Sequence, residues 1–177
     1  LAQIREVVEK STDFTLAQRT WLLTTLQQAG LHSARIRFRS STNLEDGDSF
    51  NGAGLYDSFS GCLEDDLDQD EGGPSHCDPT ESNERGVFRA LRKVYASFYN
   101  ENAVLERLRY GVDENQVGMA VLVHFSTPDE FELSNGVATM EVTPDPAGTR
   151  TTRTRLVSQV GAESVTIDLF IALFTGI

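Results

Sequence analysis

Cysteine is scarce in this chain. Cys62 and Cys77 are the only two, and they form no C-x-x-C pair. Two reduced thiols are the expected state; a bridge across the intervening segment is open to them, but nothing in the sequence demands it. Basic side chains are also few, 15 lysines and arginines against 27 aspartates and glutamates, for a net charge of −12. Duplex binders carry a basic face, so no nucleic-acid partner is expected. No apolar run reaches 18 residues, which excludes a transmembrane helix and a membrane partner. No basic segment leads into a short apolar one, so no signal peptide is legible and a cytoplasmic location is the expectation. The three histidines, His32, His76 and His124, include no pair at metal-ligand spacing, so zinc is not expected. The P-loop pattern, the dinucleotide glycine fingerprint and the G-x-S-x-G elbow are all missing. The chain starts at Leu1 rather than methionine, which reads as a removed start or a piece of something longer.

What is present is enough for a packed domain. The chain has 177 residues, 39% hydrophobic and 24% charged, close to the globular average. Ile4, Val7 and Val8 have helical spacing. A second helix, capped by Asp13 or Thr15, holds Leu16, Trp21, Leu22 and Leu26 and stops at Gly30. Arg35-Ile36-Arg37-Phe38-Arg39 alternates as a strand does. A glycine- and hydroxyl-rich loop follows, then a short strand near Tyr56–Ser60. Asp78-Pro79-Thr80-Glu81 has the form of a helix start, and Val87, Leu91, Val94 and Phe98 continue as a core-facing stripe. A further helical turn, Glu101–Tyr110, ends at Gly111. Val117–Phe125 is branched and apolar, hence a strand. Ser134–Val142 and Thr149–Gln159 flank a proline-rich turn as a hairpin would. Helices and strands mix without strict alternation, so the fold class is α+β (mixed α/β) in one domain spanning 1–177.

The charge is uneven. Nine acidic residues and no basic one fall between Glu64 and Glu84, in a stretch that reads as a solvated loop. Asp66, Asp68 and Asp70 have the spacing of a calcium loop. Glu71 stands where such a loop needs glycine, and Cys77 where it needs glutamate, so a surface insertion over 62–84 is the expectation.

The densest chemistry lies in Arg39-Ser40-Ser41-Thr42-Asn43-Leu44-Glu45-Asp46 and Phe50-Asn51-Gly52-Ala53-Gly54. Arginine offers a planar fork to phosphate oxygens, and glycines let backbone N–H groups approach an anion. The same residues also describe an ordinary strand–loop junction with a solvated basic edge.

These residues resemble the N-terminal ATP-binding domain of the pyruvate, phosphate dikinase and phosphoenolpyruvate synthase family. The likeness continues, in order, through Ala96–Ala103 with Arg107, Arg109, Tyr110 and Gly111, through Gly118–His124, through Ser134–Ala138 and through Gln159–Glu163, so that it covers roughly residues 35–166. It implies an ATP-grasp-like fold, incomplete here, with ATP and Mg2+ as cofactors. It also implies a phosphotransferase that passes phosphate from ATP to a histidine on a separate domain. By position Arg39 would be the phosphate-gripping, catalytic residue, with Ser40 beside it. Gly52 and Gly54 would form the loop over the nucleotide, and Ser58 the hydroxyl just beyond. His124 falls where the family often has glutamine beside adenine, and Glu163 would hold ribose or metal.

The departures are specific. The family's phosphate-gripping lysine lies upstream of the arginine segment, and this chain has only Lys10 and Lys93. No acceptor domain is legible. Residues 167–177 form an apolar tail unlike the family's text, too short to span a membrane and apt to promote association. A truncated, non-catalytic nucleotide-binding fragment is therefore the alternative, and this chain alone is expected to be inactive as a kinase. A third reading makes residues 64–84 a recruiting surface for a basic partner.

Overall fold

The strand expected around Phe38 is present and runs further than its alternation suggested. In the computed structural model, which describes residues 1–31, 35–44, 50, 52, 54–68, 72–126, 133–144 and 150–160, β1 spans Ile36–Thr42. It is the central strand of an antiparallel sheet ordered β2-β1-β3, with β2 at Ser58–Gly61 and β3 at Met119–Phe125. Ile36 and Phe38 point inward and are 0% exposed. Their register places Phe38 between Phe59 on β2 and Val123 on β3. Asn43 closes the ladder beyond the last pair: its side-chain amide donates to Gln116 O at 2.8 Å and its carbonyl accepts from Gly118 N at 3.0 Å.

Helix α3, Val87–Ser97, covers the inner face of this sheet. Val87, Phe88, Ala90, Leu91 and Val94 are buried, the recurrence of a core-facing stripe. A Cβ added at Gly61 would stand 3.0 Å from Val87 Cα and 3.1 Å from the Phe38 ring, so the absent side chain lets α3 press on β2. Burial of a phenylalanine such as Phe38 stabilises by ~2–3 kcal/mol.

Helix α1, Ala2–Lys10, lies against α3, with Arg92 Nε donating to Glu9 O at 3.1 Å. Helix α2, Leu16–Gln28, starts at a capping box formed by Thr15 and Gln18, which decides between the two expected caps. Its apolar residues do not form one buried stripe. Leu26 is buried, whereas Trp21 is 68% exposed, because five residues turn the helix by about 140°. Helix α4 spans Glu101–Arg109.

Contacts divide the chain into Leu1–Ser126 and Thr127–Ile177. The described part of the second unit is the expected hairpin, β4 (Ser134–Pro144) paired with β5 (Arg150–Val160) from Ser134↔Val160 to Pro144↔Arg150. Of the turn expected over 143–148, Thr143 and Pro144 are paired in the hairpin; 145–148 and the tail at 167–177 lie outside the described residues. No helix among the described residues is long and apolar enough to cross a membrane.

The acidic segment differs from the sequence expectation. Asp65 is 6% exposed, and its two oxygens accept from His76 N and Arg85 N, both at 2.8 Å. Asp66 accepts from Val87 N, the first N–H of α3. Instead of lying in a solvated surface insertion, it becomes the cap of a helix whose N-cap residue, Gly86, has no side chain to offer. The expected helix start at Asp78-Pro79 is a turn instead. Asp78 accepts from Thr80 N at 3.2 Å and pairs with Arg35 at 3.1 Å, so its carboxylate is spent on a turn and on β1. The cysteines, expected as thiols, are joined as Cys62–Cys77. A closed loop of this size is worth ~3 kcal/mol in the chain-entropy account.

Asp66 makes this arrangement depend on pH. Burial pushes its carboxyl up to about 6, against the lowering pull of the Val87 and Phe88 N–H groups. A raised acid pKa means that the folded state holds the proton more firmly than the unfolded chain. Its stabilising contribution is thus largest in acid and is lost as pH rises from about 4 through about 6. The difference from the ordinary value of 3.8 corresponds to ~3 kcal/mol at most. Asp66→Asn keeps an acceptor for Val87 N–H and removes the titration. Urea unfolding from pH 4 to pH 8 should show the wild type losing stability relative to the variant by up to that amount; parallel curves would contradict the account.

Candidate functional site

The strand alternation that buries Ile36 and Phe38 turns Arg37 and Arg39 to the other face of the sheet. On β2 the directly opposed residues are Ser60 and Ser58, and on β3 the residue opposite Arg37 is His124. Opposed residues share a face, so two guanidinium groups, two hydroxyls and an imidazole gather on the outward side. Arg37 Nη1 donates to Ser60 Oγ at 3.2 Å. Arg39 reaches diagonally to β3, where its Nε donates to His124 Nε2 at 3.0 Å. Among the described residues no partner meets the terminal nitrogens of Arg39, which is exposed, or the Ser58 hydroxyl. The face offers a fork-shaped cation and a free hydroxyl, a composition suited to a multiply charged oxyanion.

Three of the sequence-predicted residues, Arg39, Ser58 and His124, are thus brought together. Ser40 is not. It lies on the inner face opposite Val121, because β1 continues through Thr42 instead of ending at Arg39. Gly52 and Gly54 belong to the connection from β1 to β2. Gly52 is buried and its carbonyl accepts from Leu55 N at 3.2 Å. Gly54 has φ +78°, a backbone state that glycine adopts without strain. Glu163, Glu45 and Asp46 lie outside the described residues, and with Glu163 goes the expected metal ligand.

The connection is held by residues that sequence reasoning did not single out as anchors. Asn100, the N-cap residue of α4, donates through its amide to Leu55 O at 3.3 Å and to Asp57 at 3.0 Å. Tyr56 is buried and stacks on Phe98 with centroids 6.1 Å apart. Phe50 meets Tyr110 edge-on at 5.6 Å. Behind them sits Arg107, 1% exposed. It donates to Glu114 Oε1 at 2.7 Å, to Phe98 O at 3.0 Å and to the Tyr56 hydroxyl at 3.3 Å, and it lies 4.0 Å over the Phe98 ring. Burial works against its charge, but the bonds to Glu114 and Tyr56 outweigh burial and raise its pKa above the usual value. Ala103 and Arg107, four apart on α4, share its buried face.

A concavity of about 740 Å3 along α2, lined by Leu16, Ala17, Thr20, Trp21, Thr24, Thr25 and Gln28, includes none of the predicted residues. One donor set converges elsewhere. His76 Nδ1 is 3.2 Å from Asp68 and 3.6 Å from Asp65, and ligand atoms of all three lie within 4.8 Å. Asp65 already gives both oxygens to backbone N–H groups, which is the work of a loop-ordering carboxylate.

Residues 7–156 match the family model described as "Pyruvate phosphate dikinase, AMP/ATP-binding domain". The chain belongs to that family. The match covers β1, the connection after it, α3, α4, β3, β4 and most of β5. Nucleotide binding comes with membership, since the family's domain is the ATP-binding part of a dikinase.

Arg107 supplies a test of how the connection is held. Arg107→Ala removes a buried cation and orphans its acceptors, a change that typically costs 3–5 kcal/mol. Glu114 is partly exposed and can be rehydrated, so the low end, ~3 kcal/mol, is expected by urea unfolding. A loss below about 1 kcal/mol, the scale of an exposed ion pair, would show that the network does not anchor the connection.

Proposed function

We propose that this ATP-grasp-like domain receives the phosphates of ATP on the outward face of β1, and that its family reaction is transfer of a phosphoryl group to a histidine on a separate domain. The observation that carries the reading is the Arg39 guanidinium, anchored at Nε and with no partner at its terminal nitrogens among the described residues, beside the Ser58 hydroxyl. In such a transfer an imidazole nitrogen of the acceptor domain bonds to phosphorus. The P–O bond to the rest of the nucleotide breaks, and that oxygen keeps the electron pair. Little covalent chemistry is asked of the protein; positioning and neutralisation of oxygen charge are what it supplies. Arg39 does both at once. Ser58 adds a hydrogen bond from the neighbouring strand. Mg2+ would share that neutralisation. Its expected ligand, Glu163, lies outside the described residues, so no step is assigned to it.

A second reading has its own support. Neither lysine stands on the Arg39 face. Lys10 pairs with Glu6 at 3.0 Å on α1, and Lys93 lies 4.6 Å over the Phe59 ring, which packs against the core. A domain that binds nucleotide without transferring phosphate fits that arrangement. The two readings part on transfer of labelled phosphate from ATP to an added acceptor domain.

Both require Arg39 for binding. Loss of a charged hydrogen bond costs ~1.5–3 kcal/mol, so Arg39→Ala should weaken Mg-ATP binding by roughly 10- to 150-fold in calorimetry. Equal affinity in wild type and variant would remove Arg39 from the site.

A further inference from the structure

We infer that His124 is a positioning residue: as a neutral imidazole it accepts the Arg39 Nε–H and so sets which edge of the guanidinium meets phosphate, making nucleotide affinity fall when it gains a proton. The inference rests on the phosphate-gripping reading of Arg39. A guanidinium has N–H donors and no acceptor. The 3.0 Å contact between Arg39 Nε and His124 Nε2 therefore needs a lone pair on Nε2. The ring proton must then sit on Nδ1, which lies 2.5 Å from Phe125 O, an atom that can only accept. One protonation state alone, the neutral Nδ1–H tautomer, satisfies both contacts.

The consequence for the arginine is directional. With Nε occupied by the imidazole, the edge formed by the two terminal nitrogens is presented to solvent, and two parallel N–H donors match two oxygens of a phosphate. Strand register fixes the reach, because His124 opposes Arg37 and so lies diagonal to Arg39. A proton on Nε2 would set N–H against N–H and cation against cation. The charged groups on the same face reinforce that conflict. From β1 come Arg37, directly opposite, and Arg39, and just before the strand lies Arg35, which is paired with Asp78. From β2 come the uncharged Ser58 and Ser60, and from β3 itself Leu122.

Mg-ATP affinity of the full chain, measured by calorimetry at pH 5.5 and pH 8.0 for wild type, His124→Gln and His124→Phe, tests this. Gln offers a neutral acceptor that does not titrate, and it also reports the loss due to protonation of ATP itself. Wild type should lose about tenfold more affinity on acidification than His124→Gln does, and His124→Phe should be weak already at pH 8.0. Equal losses in wild type and His124→Gln, with Arg39→Ala still weak, would overturn the positioning role alone. Full affinity in Arg39→Ala at pH 8.0 would instead bring down the phosphate-gripping reading and this inference with it. Nitrogen-15 NMR of the unliganded wild type gives a second readout, independent of nucleotide. A protonated Nδ1 with an unprotonated Nε2 is expected at pH 8.0, and the opposite tautomer would overturn the inference.

Discussion

The parity of one strand governs the candidate site. Ile36 and Phe38 are fully enclosed between the sheet and α3, and their enclosure forces Arg37 and Arg39 outward. A slip of one residue would carry both guanidinium groups into an apolar core while exposing two large side chains. Burying an unpaired cation costs several kcal/mol, so the packing of α3 on β1 selects the register with a wide margin. The oxyanion-suited face is thus a by-product of core formation. Its cross-strand neighbours, Ser58, Ser60 and His124, come from two other strands whose pairing with β1 is equally fixed.

Around that sheet the acidic residues act as joints. Asp65 gathers backbone N–H groups from residues 76 and 85, Asp66 caps α3, and Asp78 ties the following turn to Arg35 at the entrance to β1. The Cys62–Cys77 bond closes the same region. A segment that carries most of the chain's net charge in fact directs several carboxylates inward, each against donors. That is how buried carboxylates are tolerated at all.

Periodicity made β1, β3, the α3 stripe and the hairpin legible, because each is a local pattern repeated over several residues. Partners far apart in sequence were not legible. The cap of α3 comes from Asp66, 21 residues before the N–H it receives, so the nearer Asp78-Pro79 looked like the helix start. The disulfide joins positions 15 apart, and nothing in the spacing chooses a bond over two thiols. The family's motif order pointed to Arg39, Ser58 and His124, and strand pairing puts these three on one face of the sheet. Ser40 was drawn in by adjacency, yet a strand that continues past Arg39 turns alternate residues away from one another. Arg107 and Asn100 were present in the matched text, but their work is done by contacts with Tyr56, Phe98 and Leu55, which no single segment reveals.

The central claim is that the outward face of β1 is where nucleotide meets this chain. A nitrogen-15 and carbon-13 NMR titration with Mg-ATP addresses it residue by residue. The account predicts the largest changes at the Arg39 Nε–H, at Ser58 and at the His124 ring, with the inward-facing Ile36 and Phe38 little affected. Changes centred on Trp21 and its neighbours along α2, with the Arg39 and His124 signals unmoved, would contradict it.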